Sequence, residues 1–76
     1  MAPDARTWID LYAAALGVDT LSQAEADALL DLAGSAAHAS ERTAAPLSCW
    51  LAATSGLTPA EALAMARDVA ESLPPT

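Results

Sequence analysis

The 76-residue sequence contains no lysine and only three arginines, against ten aspartates and glutamates, so its formal net charge at pH 7 is −7. A surface with this balance repels phosphate groups, which makes nucleic acid and anionic membranes poor partners. A protein that carries a basic patch is a better partner for such a surface.

Cysteine and long apolar runs are scarce as well. Cys49 is the only cysteine, which excludes an intramolecular disulfide and the oxidised framework of a small secreted protein. No apolar run approaches the ~20 residues of a membrane-spanning helix, and the N-terminus has no basic region followed by an apolar segment. We therefore expect a cytoplasmic protein.

Strand-forming residues are few, and no useful stretch alternates between polar and apolar residues. Apolar spacing and capping signals instead predict four helices, over residues 5–16, 23–40, 46–55 and 59–73. Ser22 with Glu25, and Thr58 with Glu61, match the capping-box pattern. The prediction is an all-α fold, a compact four-helix bundle with short connections, in which residues 1–76 form a single domain.

The hydrophobic residues, 54% of the sequence, are largely alanines, which build helices well but bury little area each. The larger side chains must therefore hold the bundle together, and we expect Trp8 and Trp50 to anchor its core. The alternative is that one of these tryptophans is partly exposed and anchors an interface. The helical spacing predicts two further apolar stripes, one of Trp8, Leu11, Tyr12, Ala15 and Leu16 and one of Leu47, Trp50, Leu51 and Thr54.

A polar stripe runs along the second predicted helix, opposite its leucines. Asp27, Asp31, Ser35 and His38 fall within one sector, and Arg42 joins them if the helix continues that far. One interpretation is a solvated face whose His38 and Arg42 interact favourably with a helix C-terminus. The other is a recognition site, in which His38 and Arg42 bind a carboxylate or phosphate oxygen.

Metal binding and catalysis have little support in the sequence. One histidine and one cysteine, without a paired-histidine or paired-cysteine spacing, do not make a metal site, and Ser35 stands where a Glu-x-x-His pair needs glutamate. Cys49 near a helix N-terminus, with His38 as its base, is a conceivable nucleophile, but a small apolar cysteine is the commoner case. We therefore predict no catalytic residue, no metal, no cofactor and no enzymatic activity.

Several segments resemble the DUF6457 family, an uncharacterised actinobacterial domain of about this length. They are Trp8, residues 29–33, His38 with Ala37, Glu41 with Arg42, residues 44–47 and residues 51–52. The chain departs from the typical pattern at Gly34-Ser35 and at Ala39-Ser40. Members occur alone or attached to a domain like a molybdenum cofactor guanylyltransferase, and the family has no assigned catalytic residues. The resemblance thus implies a role near the maturation of molybdopterin guanine dinucleotide or near the oxidoreductases that use it, such as formate dehydrogenases.

The expected function is that of a non-enzymatic accessory domain that docks on a basic patch of a protein, a molybdenum cofactor guanylyltransferase or a molybdoenzyme. Candidate binding residues are His38, Glu41, Arg42 and Pro46 at the recognition edge, with Ser35 and Asp31 beside it. One alternative is a small-ligand carrier that holds a nucleotide or pterin phosphate at His38 and Arg42. Another is an acidic inhibitor or antitoxin. The oligomeric state stays open, since an alanine-rich bundle can form a homodimer through a smooth helix face.

Overall fold

Four α-helices make up the fold in the computed structural model, which describes residues 2–74 and contains no strand in that range. They are α1 (Ala5–Leu16), α2 (Gln23–Ala39), α3 (Ala44–Thr54) and α4 (Pro59–Ser72). The predicted all-α bundle of four helices is confirmed. α3 begins two residues before the predicted start, so Pro46 is its third residue, still in the first turn, where a backbone N–H has no acceptor within the helix.

Both predicted capping boxes are formed. The glutamate carboxylates accept the backbone N–H of Ser22 at 2.8 Å and of Thr58 at 2.9 Å. The capping hydroxyls in turn accept the backbone N–H of Glu25 and Glu61. The bonds from the backbone N–H groups lower the pKa of both glutamates, because they favour the charged carboxylate.

A small core lies where α4 packs on α2. Leu32 of α2 is 2% exposed and lies against Ala62 and Leu63 of α4, which are also buried. The partly buried residues around these three are all small: Ala28, Cys49, Ala52 and Ala66. α2 is the central helix, since α3 and α4 both pack on it.

α1 is attached in a different way. None of its Cα atoms lies within 8 Å of a Cα in α2, α3 or α4. The Arg6 guanidinium, which is paired with Asp10 at 2.8 Å, donates to the Thr20 hydroxyl at 3.1 Å and to the carbonyl of Leu21. These side-chain bonds connect α1 to the loop that leads into α2.

The expectation that the tryptophans anchor the core is wrong: Trp8 is 57% exposed and Trp50 is 72% exposed. In α3 the reason is the choice of inward residues. Cys49 and Ala52 pack toward the core, so the large side chains fall on the opposite side of the helix. In α1 the stripe that contains Trp8 has no helix facing it.

The molecule therefore has more surface than its mass requires. Its accessible surface is 5853 Å², whereas a monomer of this mass typically has about 4,300 Å². Its radius of gyration is 13.6 Å, against about 11 Å for a typical domain of this length. Large apolar side chains supply much of the exposed area: Trp8, Leu11, Tyr12, Leu16, Val18, Leu30, Leu47, Trp50, Leu51, Leu57, Met65, Val69 and Leu73.

Candidate functional site

The predicted recognition edge follows the end of α2. His38 is exposed in the last turn of that helix, where a basic side chain interacts favourably with the helix dipole. The helix ends at Ala39, and Ser40 leaves the helical conformation with φ −133° and ψ −101°. Arg42 therefore does not continue the polar stripe along α2, so the condition for its joining His38 there is not met.

The residues of this edge are exposed but do not converge. Glu41 accepts a hydrogen bond from the Thr43 hydroxyl at 3.0 Å. Within residues 2–74, neither His38 nor Arg42 forms a side-chain hydrogen bond or an ion pair. Pro46 and Asp31 are exposed too. No hydrogen bond, ion pair or groove in the described part of the chain joins the six predicted residues to one another, and their role as binding residues stays a prediction.

Ser35 differs from the other five because it is half-buried. It lies in a groove of about 200 Å³ between α2, α3 and α4. Small side chains such as Ala36, Ala66 and Ala70 line the same groove. His38 and Arg42 are not among its lining residues, so the groove does not join Ser35 to them.

A larger groove of about 410 Å³ lies between α1 and α2 and reaches α3; we call it the α1–α2 groove. Its lining is almost entirely apolar: Ala5, Arg6, Ile9, Leu21, Gln23, Ala26, Leu29, Leu30, Ala33 and Cys49. Arg6 is the only charged residue among these, and its guanidinium is already bound to Asp10 and the Leu21 carbonyl. The groove therefore suits an apolar group better than a phosphate. The sequence signal for it is the width of the apolar face of α2, which is broader than one neighbouring helix covers.

Cys49 also lines this groove. Burial raises the pKa of the Cys49 thiol, which disfavours the thiolate that a nucleophilic cysteine needs. Its sulfur lies 3.9 Å from the carbonyl oxygen of Leu29. Leu29 precedes His38 by nine residues, about 13 Å along the helix axis, so the two candidate catalytic side chains are not brought together.

Within residues 2–74, no group of three or more histidine, cysteine, aspartate or glutamate side chains is placed to hold a metal ion. In the same part of the chain, no helix has the length and apolar character needed to cross a membrane.

Two exposed apolar surfaces remain, and both were expected inside the bundle. The α1 face consists of Trp8, Leu11, Tyr12 and Leu16, with the rings of Trp8 and Tyr12 stacked at a centroid distance of 5.9 Å and an interplanar angle of 14°. The α3 face consists of Leu47, Trp50 and Leu51. The sequence predicted each stripe correctly but did not predict the side of the helix that meets the core.

The comparisons with known proteins assign no activity to this chain. No curated protein and no solved structure matches the chain. The profile of one protein family, described as a domain of unknown function (DUF6457), matches residues 2–73. Because this match covers nearly the whole sequence, the chain belongs to the DUF6457 family.

Proposed function

We propose that this protein is a non-enzymatic interaction domain that docks through the α1 face on a protein whose apolar surface is bordered by basic residues. One observation carries the proposal. α1 exposes four large apolar side chains, and none of its Cα atoms lies within 8 Å of a Cα in another helix.

The α1 face has the composition of a binding surface. Tryptophan and tyrosine contribute most to binding at protein interfaces, because they bury a large area at a low cost in conformational entropy. Trp8 and Tyr12 are already stacked on each other, so little further ordering is needed when a partner covers them. Full burial of a large apolar side chain contributes about 1.5–3 kcal/mol, so a face of four gives a substantial gain even after the cost of association.

Charge supports a basic partner. Asp4 and Asp19 lie beyond the two ends of α1, and the chain as a whole carries a formal charge of −7. A basic border around the partner's apolar surface meets these carboxylates, accelerates association and makes the binding rate sensitive to salt. Two observations argue against the alternative of a phosphate carrier. The net negative charge of the chain repels a phosphate. In addition, neither groove is lined by His38 or Arg42.

The identity of the partner is a separate part of the proposal and rests on the family resemblance alone. That resemblance suggests a molybdenum cofactor guanylyltransferase or a molybdoenzyme, met in the cytoplasm. His38, Glu41, Arg42 and Pro46 then form a second, polar contact on the same partner. A basic target of an acidic inhibitor satisfies the same charge argument and is the competing identity.

Titration calorimetry with the purified guanylyltransferase and molybdoenzyme encoded in the same genome tests both parts. We expect binding that weakens with salt and that Trp8→Ala weakens at least about tenfold. Met65→Ala is the matched control, because Met65 lies on α4 and is 57% exposed, as Trp8 is. Arg42→Ala should weaken binding while leaving helix content and melting temperature nearly unchanged.

Three results contradict parts of the proposal. Equal effects of Trp8→Ala and Met65→Ala remove the α1 face from the interface. An unchanged affinity of Arg42→Ala removes the recognition edge. Heat released with guanine nucleotides or pterins, in the absence of any protein, favours the carrier instead.

A further inference from the structure

A single copy of this chain buries less surface than a stable domain normally does. The unfolded chain exposes about 11,000 Å², so the folded surface of 5853 Å² means that only about half is buried, against about 60% for a typical 60-residue domain. The excess over a typical monomer is about 1,500 Å². Obligate homodimers bury about 1,000–2,500 Å² on each chain, so a second copy covers an area of this size.

Charge selects the surface on which two copies meet. Each copy has a formal charge of −7, so carboxylates facing one another oppose association. α3, over Ala44–Thr54, contains no charged residue, and Arg6 is the only charged residue that lines the α1–α2 groove. Because α3 has no carboxylate, it offers nothing for the basic residues of another protein to pair with. For the same reason, it does not repel a second acidic copy of this chain.

The α3 face and the α1–α2 groove are adjacent. Trp50 is 72% exposed and follows Cys49, which lines the groove. Leu30, another lining residue, is 69% exposed. A volume of about 410 Å³ lies within the range of sites that hold small organic groups, so an indole ring fits it in size. Because the projecting Trp50 lies beside the groove, two copies related by a two-fold axis can each insert Trp50 into the groove of the other. Such a reciprocal contact gives a dimer and leaves no free site for a third copy.

From these observations we propose that two copies form a two-fold symmetric dimer, in which Trp50 of each copy enters the α1–α2 groove of the other. Leu30 then packs against the indole, while Leu47 and Leu51 are covered beside it. This surface differs from the α1 face assigned above to a basic partner, so either assignment holds or fails without the other.

Sedimentation velocity over a range of concentrations measures the dimer directly. We expect the wild type to dimerise, Trp50→Ala to raise the dimer Kd at least about tenfold, and Leu30→Glu to do the same by placing a charge in the groove. Trp8→Ala is the control, because it removes an exposed tryptophan from a surface outside the proposed contact. Circular dichroism checks that each variant keeps its helix content.

Mixing the two weakened variants tests the reciprocal geometry. Trp50→Ala keeps an intact groove and Leu30→Glu keeps an intact indole, so a mixed dimer retains one of the two contacts while each variant alone retains none. We expect the mixture to associate more tightly than either variant alone, which a variant that fails to fold does not do. A wild type that stays monomeric at all concentrations, a dimer that Trp8→Ala weakens as much as Trp50→Ala, or a mixture without gain would each overturn the proposal.

Discussion

The contact between α2 and α4 and the attachment of α1 differ in kind. α2 and α4 meet through buried apolar side chains around Leu32, whereas the Arg6 side chain and its hydrogen bonds connect α1 to the following loop. Apolar burial contributes to global stability, while exposed polar bonds contribute little and open easily. The difference indicates that the stability of the fold resides mainly in α2 and the helices that pack on it, and that α1 is the helix most free to present its side chains to another molecule.

α3 shows how an alanine-rich sequence divides its side chains between these two tasks. The residues that approach α2 and the core, such as Cys49 and Ala52, are small and allow close helix packing. Leu47, Trp50 and Leu51, on the other side, are exposed. On α3, small residues therefore make the contacts within the fold, and the large side chains are left exposed.

The largest expected effect is on the α2–α4 contact. Leu32→Ala removes a side chain that is 2% exposed and leaves a cavity, so we expect the free energy of unfolding to fall by about 2–5 kcal/mol. The same substitution at Leu30, which is 69% exposed, should change it by at most about 0.5 kcal/mol in the monomer. Urea denaturation at low protein concentration, followed by circular dichroism, measures both. Similar losses for the two variants would mean that Leu32 is not the centre of the core.

The next effect concerns α1. Arg6→Ala removes the bond to the Leu21 carbonyl and should lower the free energy of α1 opening by about 1 kcal/mol. Hydrogen exchange should then become faster for amides in α1 and stay unchanged in the middle of α2 and α4. Arg67→Ala on α4 is the control for loss of a positive charge. Faster exchange throughout all four helices would show that α1 is cooperative with the core.

Gly34, within α2, gives an effect of the opposite sign. A Cβ added there meets no atom within 4 Å, so Gly34→Ala should raise the free energy of unfolding by about 1 kcal/mol through helix propensity. Gly17 has φ 75°, and Gly17→Ala should lower the stability by about 1–2 kcal/mol. Thermal unfolding of both variants tests this contrast. A destabilised Gly34→Ala would indicate that α2 is in close contact with another chain at that position.

The sequence predicts the helices better than it predicts the contacts between them. Helix formation depends on residues close together in the sequence, whereas contacts between helices depend on residues far apart in it. Helix ends depend on neighbouring residues, so Ser22 with Glu25 was enough to predict the start of α2. Which face of a helix meets the core depends on residues far away in the sequence. The helical spacing of Leu47, Trp50 and Leu51 shows that they share a face of α3, but it does not show which part of the protein, if any, packs against that face. For the same reason the bond from Arg6 to Leu21 was not predicted, although the four-residue spacing of Arg6 and Asp10 is a local signal for their ion pair.

The sequence predicts which residues make up the apolar stripes of α1 and α3, but not that these stripes lie on the surface of the protein. The sequence singled out His38 and Arg42, which the structure leaves exposed and apart from either groove. The prediction that Trp8 and Trp50 lie in the core rests on the small number of other large side chains in an alanine-rich bundle. The sequence does not show that α3 turns Cys49 and Ala52, rather than Trp50, toward the core around Leu32.

Lowering the pH should affect α1 and the α2–α4 contact to different extents. We expect the smaller effect at the α2–α4 contact. The Thr20 hydroxyl and Arg6 bind the charged form of Asp10 and lower its pKa, so this carboxyl contributes stability above its ordinary pKa of 3.8 and loses it as the pH falls through the lowered value. The contact of Leu32 with Ala62 and Leu63 has no titrating group. Between pH 5 and about pH 2 we therefore expect amide exchange in α1 to accelerate before that in the middle of α2, with fraying at the capping glutamates, whose pKa values are also lowered. Asp10→Asn should make amide exchange in α1 faster at pH 7 and reduce its acid dependence, with the N-cap Asp4, whose pKa is also lowered, left to titrate. If acid instead loosens all four helices together, in the wild type and in Asp10→Asn alike, the bonds of Arg6 and Asp10 are not what connects α1 to the fold.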